Sequence, residues 1–477
     1  MPVPNKISKD AGREGFSSRL GFLLIAAGCA IGLGNIWRFP FIVGQYGGAA
    51  FVLLIILFLV VLGLPILIME FSVGRASYRS VARSFDALEP RGSKWHRFKW
   101  VALAGNYCLM MFYTTVCGWM VAYLYKMCVG ECAVGADIPA VFSNMVGDPI
   151  QLLFWMGLVT VLGFGVCALG VQKGVERVTK YMMAALFVLL VVLGVNSVFL
   201  EGGQEGLAFY LMPDFDKLFF NPEADFATIC FAAMGQAFFM LSIGIGSMSI
   251  FGSYIGRDNR LTGEAIRIAG LDLLVAILAG LIIFPACFAY NVDVGSGPNL
   301  VFVTLPYVFQ QMPFGEFWGI LFFLCLAFAA LSTVIAVFEN ILRFSMDEWN
   351  MTRSKAVAIN GPLLLLLSVP CVLGFNVWAG VQIPGIGDIQ SIEDFLVSNN
   401  FLVIGALVFV LFCTTKRGWG FSNFIQEADD GTGLRYPKWL YGWTKYGVPV
   451  LIVIVFVMGW VPEIQYWLGM LSGNLMI

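Results

Sequence analysis

The sequence predicts an all-α polytopic membrane protein with eleven transmembrane helices: two five-helix repeats in opposite orientations, with helices 1 and 6 broken, followed by helix 11. The first observation is composition, since 59% of the 477 residues are hydrophobic and only 12% are charged, about half the charged share of a soluble domain. The second is eleven apolar runs of about 20 residues, the length that crosses roughly 30 Å of hydrocarbon. The third is that the first and the sixth of these runs are each interrupted by a cluster of glycines. This composition excludes soluble enzymes, disordered proteins and secreted disulfide scaffolds, because none could keep so much apolar surface in water.

The apolar runs, called segments 1 to 11, define the domain organisation. They lie at 19–45, 49–71, 98–126, 151–170, 178–200, 226–254, 265–290, 316–345, 356–375, 393–414 and 446–468. We expect a cytoplasmic N-terminal arm (1–18), a first repeat (19–200), an extracellular loop (201–225), a second repeat (226–414), a cytoplasmic loop (415–445), and segment 11 with the C-terminus (446–477). Segment 1 carries Asn35, Trp37 and Arg38 and is too long for a cleaved signal, so we expect it to be retained.

Basic residues predict the orientation. With the N-terminus in the cytoplasm, 25 of the 28 lysines and arginines fall on the inner side, as the positive-inside rule requires. The prediction is a multi-pass plasma-membrane protein surrounded by lipid, with its N-terminus inside and its C-terminus outside. A net charge of −2 without a basic patch argues against nucleic acid as a partner. A homo-oligomer is left open.

The reactive side chains argue against an enzyme. His96 is the single histidine, so the chain offers no histidine pair for a metal and no histidine–carboxylate relay. Nine of the eleven cysteines lie in apolar stretches, where cysteine acts as a small hydrophobic residue. Cys128 and Cys132 flank a loop; a disulfide and free thiols are both open, and free thiols are favoured.

Segments 1 and 6 are interrupted by glycine clusters at mid-membrane depth. The clusters are GCAIGLGN at 28–35 and SIGIGS at 242–247. A broken backbone is tolerated in a membrane only where it lines a cavity, although packing of small residues such as Gly28 and Gly32 is the alternative. Segments 1 and 6 each open a set of five, and paired interruptions of this kind indicate the substrate site of a secondary transporter. Freed N–H groups can bind an anion, and freed carbonyls a small cation.

Polar residues in apolar segments mark further candidates. Ser332 and Thr333 are adjacent hydroxyls in segment 8; each could bond a carbonyl one turn back or bind a ligand. Asn35 and Asp272 lie deep in segments 1 and 7. A buried aspartate in a membrane is a functional candidate by default, because burial costs at least roughly 2.5–3.5 kcal/mol, but a structural hydrogen bond is the alternative.

Six motifs carry a family resemblance. They are RLG at 19–21, GCAIGLGNIWRFP at 28–40, GG at 47–48, FY at 112–113, GQAFF at 235–239 and AALST at 329–333. These motifs resemble the neurotransmitter:sodium symporter family over segments 1 to 10. The resemblance implies a leucine-transporter fold and Na⁺-driven uptake of a small amine-bearing solute. Eleven segments rather than twelve are similar to the bacterial amino-acid branch, which implies the bacterial cytoplasmic membrane.

The resemblance implies one or two bound Na⁺ ions. The second sodium site would consist of the carbonyls of Gly28, Ile31 and Ala329 with the hydroxyls of Ser332 and Thr333. Five neutral oxygens suit a weakly held monovalent cation. The first sodium site would use Asn35, Asp272, the carbonyls of Ala30 and Met240, and the carboxylate of the substrate. This shared carboxylate would couple the ion to the solute, since each raises the affinity for the other.

Two departures from the family pattern affect the ions. Met240 stands where a threonine or serine is usual, and Asp272 stands where asparagine is common. Chloride-dependent relatives use a tyrosine in segment 2 and a serine in segment 7, and these positions are Ile55 and Ala276 here. The missing donors and the fixed carboxylate imply no chloride.

The resemblance also implies the substrate pocket. The N–H groups of Leu33 and Gly34 with the Tyr113 hydroxyl would bind a carboxylate, and the carbonyls of Ala30, Phe239 and Met240 with Ser242 would bind an ammonium. Gly32, where monoamine carriers have aspartate, leaves room for an α-amino acid. Its side chain would meet Leu109, Phe239, Ile245, Thr333 and Val337. This lining carries no charge and excludes charged side chains, so we expect a neutral, hydrophobic or aromatic amino acid.

Two ion pairs are expected to act as gates. Arg38 and Asp394 are implied as the extracellular pair, and Arg13 and Asp347 as the cytoplasmic pair; solvated charges are the alternative. Tyr113 and Phe239 would close over the solute. The predicted function is Na⁺-coupled symport by alternating access, with a proton-coupled carrier of the same fold, using Asp272 or Glu70, and a non-transporting amino-acid sensor as alternatives.

Overall fold

The computed structural model describes residues 18–221, 224–292, 294 and 299–471. Over these ranges the regular structure is helical, and the two β-bridges, Asn259 with Thr432 and Ile383 with Gly387, are isolated. All eleven predicted segments are present as helices. The N-terminal arm up to residue 17 lies outside the described residues, and Arg13 lies in it.

The first repeat begins with a helix broken at the predicted place. Its two halves bend by 54° at a short break. Segments 1 to 5 run over Arg19–Ala30 with Gly34–Gln45, Ala49–Ser77, Phe98–Cys128, Pro149–Ala168 and Val171–Val198. Short helices at Val81–Leu88 and Ile138–Gly147 lie between them.

The second repeat begins with a second broken helix. Segments 6 to 11 run over Phe226–Met240 with Ser247–Tyr254, Leu261–Ala289, Gly315–Trp349, Arg353–Gly374, Ile389–Thr414 and Leu440–Gly469. Short helices at Gln204–Leu211, Phe215–Phe219, Leu300–Gln311 and Phe421–Ala428 lie in the connections. The breaks therefore occupy corresponding places in the two repeats, as the sequence predicts.

Side-chain caps fix where several helices begin. Asp148 accepts hydrogen bonds from the N–H groups of Ile150 and Gln151 at the start of segment 4. Asp225 caps segment 6, Thr352 caps segment 9 and Asp388 caps segment 10 in the same way. Such caps satisfy N–H groups that have no partner within the helix, so these helices start at defined residues near the membrane boundary.

Segments 3 and 8 pack along each other at the centre, and the second half of segment 6 packs against segment 2. The latter contact is backbone against backbone: a Cβ atom at Gly252 would lie 2.8 Å from the Cα atom of Phe71. Only glycine permits this approach. Segment 6 is thereby joined to segment 2 on one side, while its break faces segments 1 and 10.

The connection at 415–445 forms a buried ionic contact, which we call the loop clasp (Arg75, Arg257, Glu427 and Asp430). Arg75 of segment 2 is 0% exposed. Its Nε atom lies 2.7 Å from Oε1 of Glu427, and its second guanidinium nitrogen bonds the Glu427 carbonyl. Arg257, in the connection between segments 6 and 7, lies 3.1 Å from Oε2 of Glu427 and 2.8 Å from Asp430. The clasp therefore ties segment 2 to the connection between segments 6 and 7.

Candidate functional site

The break in segment 1 exposes backbone groups inside the protein. The helix ends at Ala30, and Ile31 takes an extended ψ of 101°. The Leu33 N–H then donates to the Tyr113 hydroxyl at 3.1 Å, as expected for a segment whose N–H groups no longer serve a helix. The break thus brings the backbone of segment 1 against segment 3.

The break in segment 6 is held by positive φ angles and by close packing. Ser242, Gly244 and Gly246 have φ values of 50°, 104° and 76°, which disfavour a continuous helix. The Gly244 N–H donates to Oε1 of the buried Glu70. A Cβ atom at Gly244 would also lie 2.9 Å from the Cα atom of Leu402. Segment 10 therefore rests directly on the unwound part of segment 6.

All five oxygens expected for the second sodium site converge in the structure. Ser332 Oγ lies 3.1 Å from the Gly28 carbonyl and 2.8 Å from that of Ala329. Thr333 Oγ1 lies 3.2 Å from the carbonyls of both Gly28 and Ile31. The bond of Ser332 to Ala329 is local, but the contacts with Gly28 and Ile31 join segment 8 to the break in segment 1. The donor set is neutral and hard, which fits Na⁺.

The two side chains expected at the first sodium site also meet. Asn35 Nδ2 lies 2.8 Å from Oδ1 of Asp272 and 3.0 Å from its carbonyl, and both residues are fully buried. Asp272 Oδ2 has no hydrogen-bond partner among the described residues. Burying a carboxylate oxygen without a hydrogen-bond donor is unfavourable unless a cation or a proton neutralises it. Asn35 and Asp272 are therefore suited to bind a cation. Rotation of the Asn35 amide would present its oxygen instead of its nitrogen.

A small cavity lies between the two breaks. Its volume is about 20 Å³, which is the space for about one water molecule. Eight predicted substrate residues line it: Ala30, Leu33, Gly34, Leu109, Tyr113, Phe239, Ser242 and Thr333. Three further predicted residues are buried but do not line the cavity: Met240, Ile245 and Val337. Two residues outside the predicted set, Gly32 and Leu402, also line it. The cavity must widen before it can hold an amino acid.

Gly32 is required where segment 1 crosses the cavity. A Cβ atom there would lie 2.6 Å from Thr333 Oγ1 and would overlap the Tyr113 hydroxyl. Any larger residue would displace the Tyr113 hydroxyl or the Thr333 hydroxyl. The space that the sequence assigned to an α-carboxylate is therefore bounded by Tyr113 and Thr333.

The predicted outer gate is not formed in this conformation. Arg38 makes no ion pair within the described ranges, and its guanidinium lies 4.9 Å from the centre of the Phe239 ring. Asp394 instead accepts a hydrogen bond from Ser398 at 2.8 Å. Arg38 therefore lies over the Phe239 ring, at a distance typical of a cation–π contact, and the expected pair with Asp394 is not formed among the described residues.

Asp347, which is expected in the cytoplasmic gate, has two other partners in the structure. It lies 3.2 Å from Arg343 and accepts the Ser80 N–H at 2.9 Å. Its predicted partner Arg13 is outside the described residues.

Glu339 pairs with Arg353 at 2.6 Å. Cys128 and Cys132 are free thiols, as favoured from the sequence.

A polar network below the cavity was missed by the sequence analysis. Asn106 of segment 3 donates to the Ile245 carbonyl at 2.9 Å, and Asn340 of segment 8 donates to Asn106 at 2.8 Å. Ser247 lies 3.3 Å from Asn106. The available signal was the type of residue, since asparagines in apolar helices need partners. The network joins segments 3, 6 and 8 on the side of the break opposite to Arg38.

Comparison with known proteins extends this picture. The sequence profile described as "Sodium:neurotransmitter symporter family" matches residues 13–134 and 141–466. An uncharacterised sodium-dependent transporter of Bacillus subtilis, YhdH, is 35% identical over 92% of this chain and 96% of its own length. An uncharacterised sodium-dependent transporter of Haemophilus influenzae is 32% identical over 93% of this chain and 98% of its own.

A solved structure has the same architecture. The crystal structure of MhsT in complex with L-phenylalanine superposes with a TM-score of 0.84 at 37% sequence identity, covering 94% of this chain and all of that chain. Its similarity spans both repeats.

Proposed function

This chain belongs to the sodium:neurotransmitter symporter family, and from that membership we propose that it imports a neutral, hydrophobic or aromatic α-amino acid with Na⁺ and without chloride. Sodium-coupled transport is the activity of the family. The observation that supports the amino-acid substrate is the cavity between the two breaks, whose lining combines Gly32, the Tyr113 hydroxyl and apolar walls. MhsT was solved with L-phenylalanine, which has the same chemistry.

The proposed binding mode follows from the groups on each side of the cavity. The Leu33 N–H and the Tyr113 hydroxyl, 3.1 Å apart, would turn to the substrate carboxylate. The unwound part of segment 6 would offer carbonyls to the ammonium, and Ser242, which bonds the Cys29 carbonyl at 3.2 Å, lies where it can contribute. Leu109 and Leu402 would face the side chain, where an uncharged lining disfavours charged substrates.

Coupling would arise because ions and substrate share the same broken segment. Na⁺ at the second site would bind Gly28 and Ile31 of segment 1 to Ser332 and Thr333 of segment 8. Na⁺ at the first site would meet Asp272 and the substrate carboxylate together. Each ligand would then favour the same arrangement of segment 1, which is the thermodynamic meaning of coupling between sites. An inward Na⁺ gradient would then drive the reaction in the direction of uptake.

The absence of a chloride requirement rests on segment 7. Asp272 supplies a fixed negative charge beside the first sodium site, and its Oδ2 has no donor among the described residues. Ile55 and Ala276, at the positions of the chloride ligands in relatives, are buried and offer no hydroxyl. Neither of these two residues could donate a hydrogen bond to a mobile anion, and the carboxylate of Asp272 would repel it.

The test is uptake of radiolabelled amino acids into proteoliposomes. We expect accumulation of neutral amino acids to require an inward Na⁺ gradient and to stay unchanged when gluconate replaces chloride. Equal uptake with K⁺ in place of Na⁺, driven by a pH gradient, would instead show the proton-coupled carrier, for which the unpartnered oxygen of Asp272 is the candidate proton acceptor. Saturable binding without accumulation would show a sensor and overturn the proposal.

Leu402 is expected to limit the size of the substrate side chain. Changing Leu402→Ala removes apolar volume from the lining of the cavity, so the ratio of tryptophan to leucine uptake should rise by about tenfold, the lower range for a change of this size in an apolar pocket. The measurement is competition uptake with both amino acids. Leu407→Ala, in the same segment but outside the lining, is the matched control and should leave the ratio unchanged; an unchanged ratio in Leu402→Ala would exclude this role.

A further inference from the structure

A large apolar groove lies between the ends of segments 5 and 7 and the turn before segment 8. We call it the valine groove, and it is bounded by Val191, Val195, Phe199, Glu201, Phe314 and Trp318. Its volume is about 970 Å³, far above that of the cavity between the breaks. The groove is separate from both sodium sites and from the substrate residues.

One wall of the groove continues the surface of segment 5 that faces away from the protein. Val188, Val191 and Val195 are all exposed and recur at the spacing that places residues on one face of a helix. An exposed valine stripe on a membrane-spanning helix contacts hydrocarbon. The groove therefore opens on the side of segment 5 that faces the lipid.

The opposite wall is an aromatic residue in an unusual conformation. Phe314 has a φ of 57°, which costs a non-glycine residue of order 1–3 kcal/mol, and its side chain is 85% exposed. The turn that holds it includes a hydrogen bond from the Trp318 N–H to the Phe314 carbonyl at 3.2 Å. Phe199 faces it from the end of segment 5 and is 81% exposed. Aromatic rings of this kind are typical of the boundary between hydrocarbon and headgroups.

The mouth of the groove carries one charged side chain. Glu201 lies directly after segment 5, and no side chain in the described ranges forms an ion pair with it. A carboxylate beside an apolar groove favours a ligand with a hydrocarbon tail and a cationic head that can donate hydrogen bonds. It disfavours a purely anionic head by repulsion.

We propose that the valine groove binds a phospholipid with a primary-amine headgroup, phosphatidylethanolamine, with one acyl chain between Val195 and Phe314 and the ammonium at Glu201. Phosphatidylcholine has a similar tail and net charge, but its quaternary ammonium has no N–H group. Phosphatidylglycerol has no cation. The headgroup, and not the chain, is therefore the basis of selection.

Trp318 provides a local reporter of the bound lipid. The full-length protein is reconstituted in vesicles in which a minority lipid carries bromine atoms on its acyl chains, since bromine quenches tryptophan on contact. The Trp318 signal is the difference between the wild-type protein and Trp318→Phe. Trp100→Phe is the matched control, because Trp100 is 49% exposed but lies at the start of segment 3, outside the groove.

We expect brominated phosphatidylethanolamine in a phosphatidylcholine background to quench Trp318 as if enriched about threefold over its mole fraction, the size of one partly screened ion pair. The reciprocal experiment should show depletion, and Trp100 should follow the mole fraction. Glu201→Gln should remove the enrichment, whereas Glu316→Gln, an exposed carboxylate close to Trp318 but outside the groove, should retain it.

Three results would overturn the proposal. One is quenching of Trp318 that follows mole fraction for both lipids. Another is enrichment of phosphatidylethanolamine near Trp318 that persists in Glu201→Gln. Loss of this enrichment to the same extent in Glu316→Gln would count equally against the proposal. The third is a Trp318 signal that no brominated lipid quenches, which would mean that the groove does not hold an acyl chain. None of these readouts depends on transport, so they are distinct from failure of the proposed function.

Discussion

Replacing Thr333 by valine is expected to raise the Na⁺ concentration for half-maximal uptake by roughly tenfold to hundredfold, since even groups that only orient a metal ligand have effects of this size. Valine has the shape of threonine without the hydroxyl. It would remove the oxygen that lies 3.2 Å from the carbonyls of both Gly28 and Ile31. The ion would lose a ligand, and of the hydroxyl contacts between segments 1 and 8 only that of Ser332 with the Gly28 carbonyl would remain. The measurement is the Na⁺ dependence of initial uptake rates in proteoliposomes.

The control for Thr333→Val is the same change at a hydroxyl with a purely local bond. Thr160 is buried in segment 4 and donates to the Met156 carbonyl one turn back at 2.9 Å. Thr160→Val should leave the Na⁺ dependence unchanged, and Thr333→Ser, which keeps an oxygen, should lie near the wild-type protein. An unaltered Na⁺ dependence in a folded Thr333→Val protein would exclude this hydroxyl as a ligand.

Removing the carboxylate of Glu427 is expected to give the largest loss of stability. In Glu427→Ala, Arg75 would stay fully buried without the partner that lies 2.7 Å from its Nε atom. Breaking a buried ion pair by removing one member costs about 3–5 kcal/mol. The loss would be seen as a lower midpoint in thermal or denaturant unfolding of the purified protein, with the same lipid and detergent throughout.

Asp430→Ala is the matched control, since it breaks a contact of the same loop clasp at the surface. Asp430 lies 2.8 Å from Arg257, and the two side chains are 42% and 39% exposed. An exposed pair contributes only about 0–1 kcal/mol. Equal losses in Glu427→Ala and Asp430→Ala would show that burial of Arg75 does not set the stability of the clasp.

The sequence predicted the membrane segments because their signal is local. A run of apolar residues is readable without knowing its neighbours, and so are the glycine clusters at 28–35 and 242–247. The second sodium site was predicted for another reason: its motifs, GCAIGLGN and AALST, are specific to a family, and the structure brings their oxygens together across 302 to 305 residues of chain.

The features that were missed depend on which residues meet across the fold. Leu402 is one leucine among many in segment 10, and only its place in the lining of the cavity, seen in the folded structure, shows that it reaches the proposed substrate site. The pairing of Arg75 with Glu427 joins residues 352 positions apart, and neither residue lies in a motif. The outer pair of Arg38 with Asp394 depends on conformation as well, so sequence alone could not indicate whether it would be closed.

The small volume of the cavity between the two breaks has a consequence for the sodium gradient across the membrane. The cavity has about 20 Å³ of space, which holds about one water molecule, so a hydrated ion does not fit into it in this conformation. A sodium-coupled transporter in this closed conformation does not dissipate the sodium gradient while its substrate is scarce. The closed conformation thereby preserves the sodium gradient, which other processes in the same membrane also use.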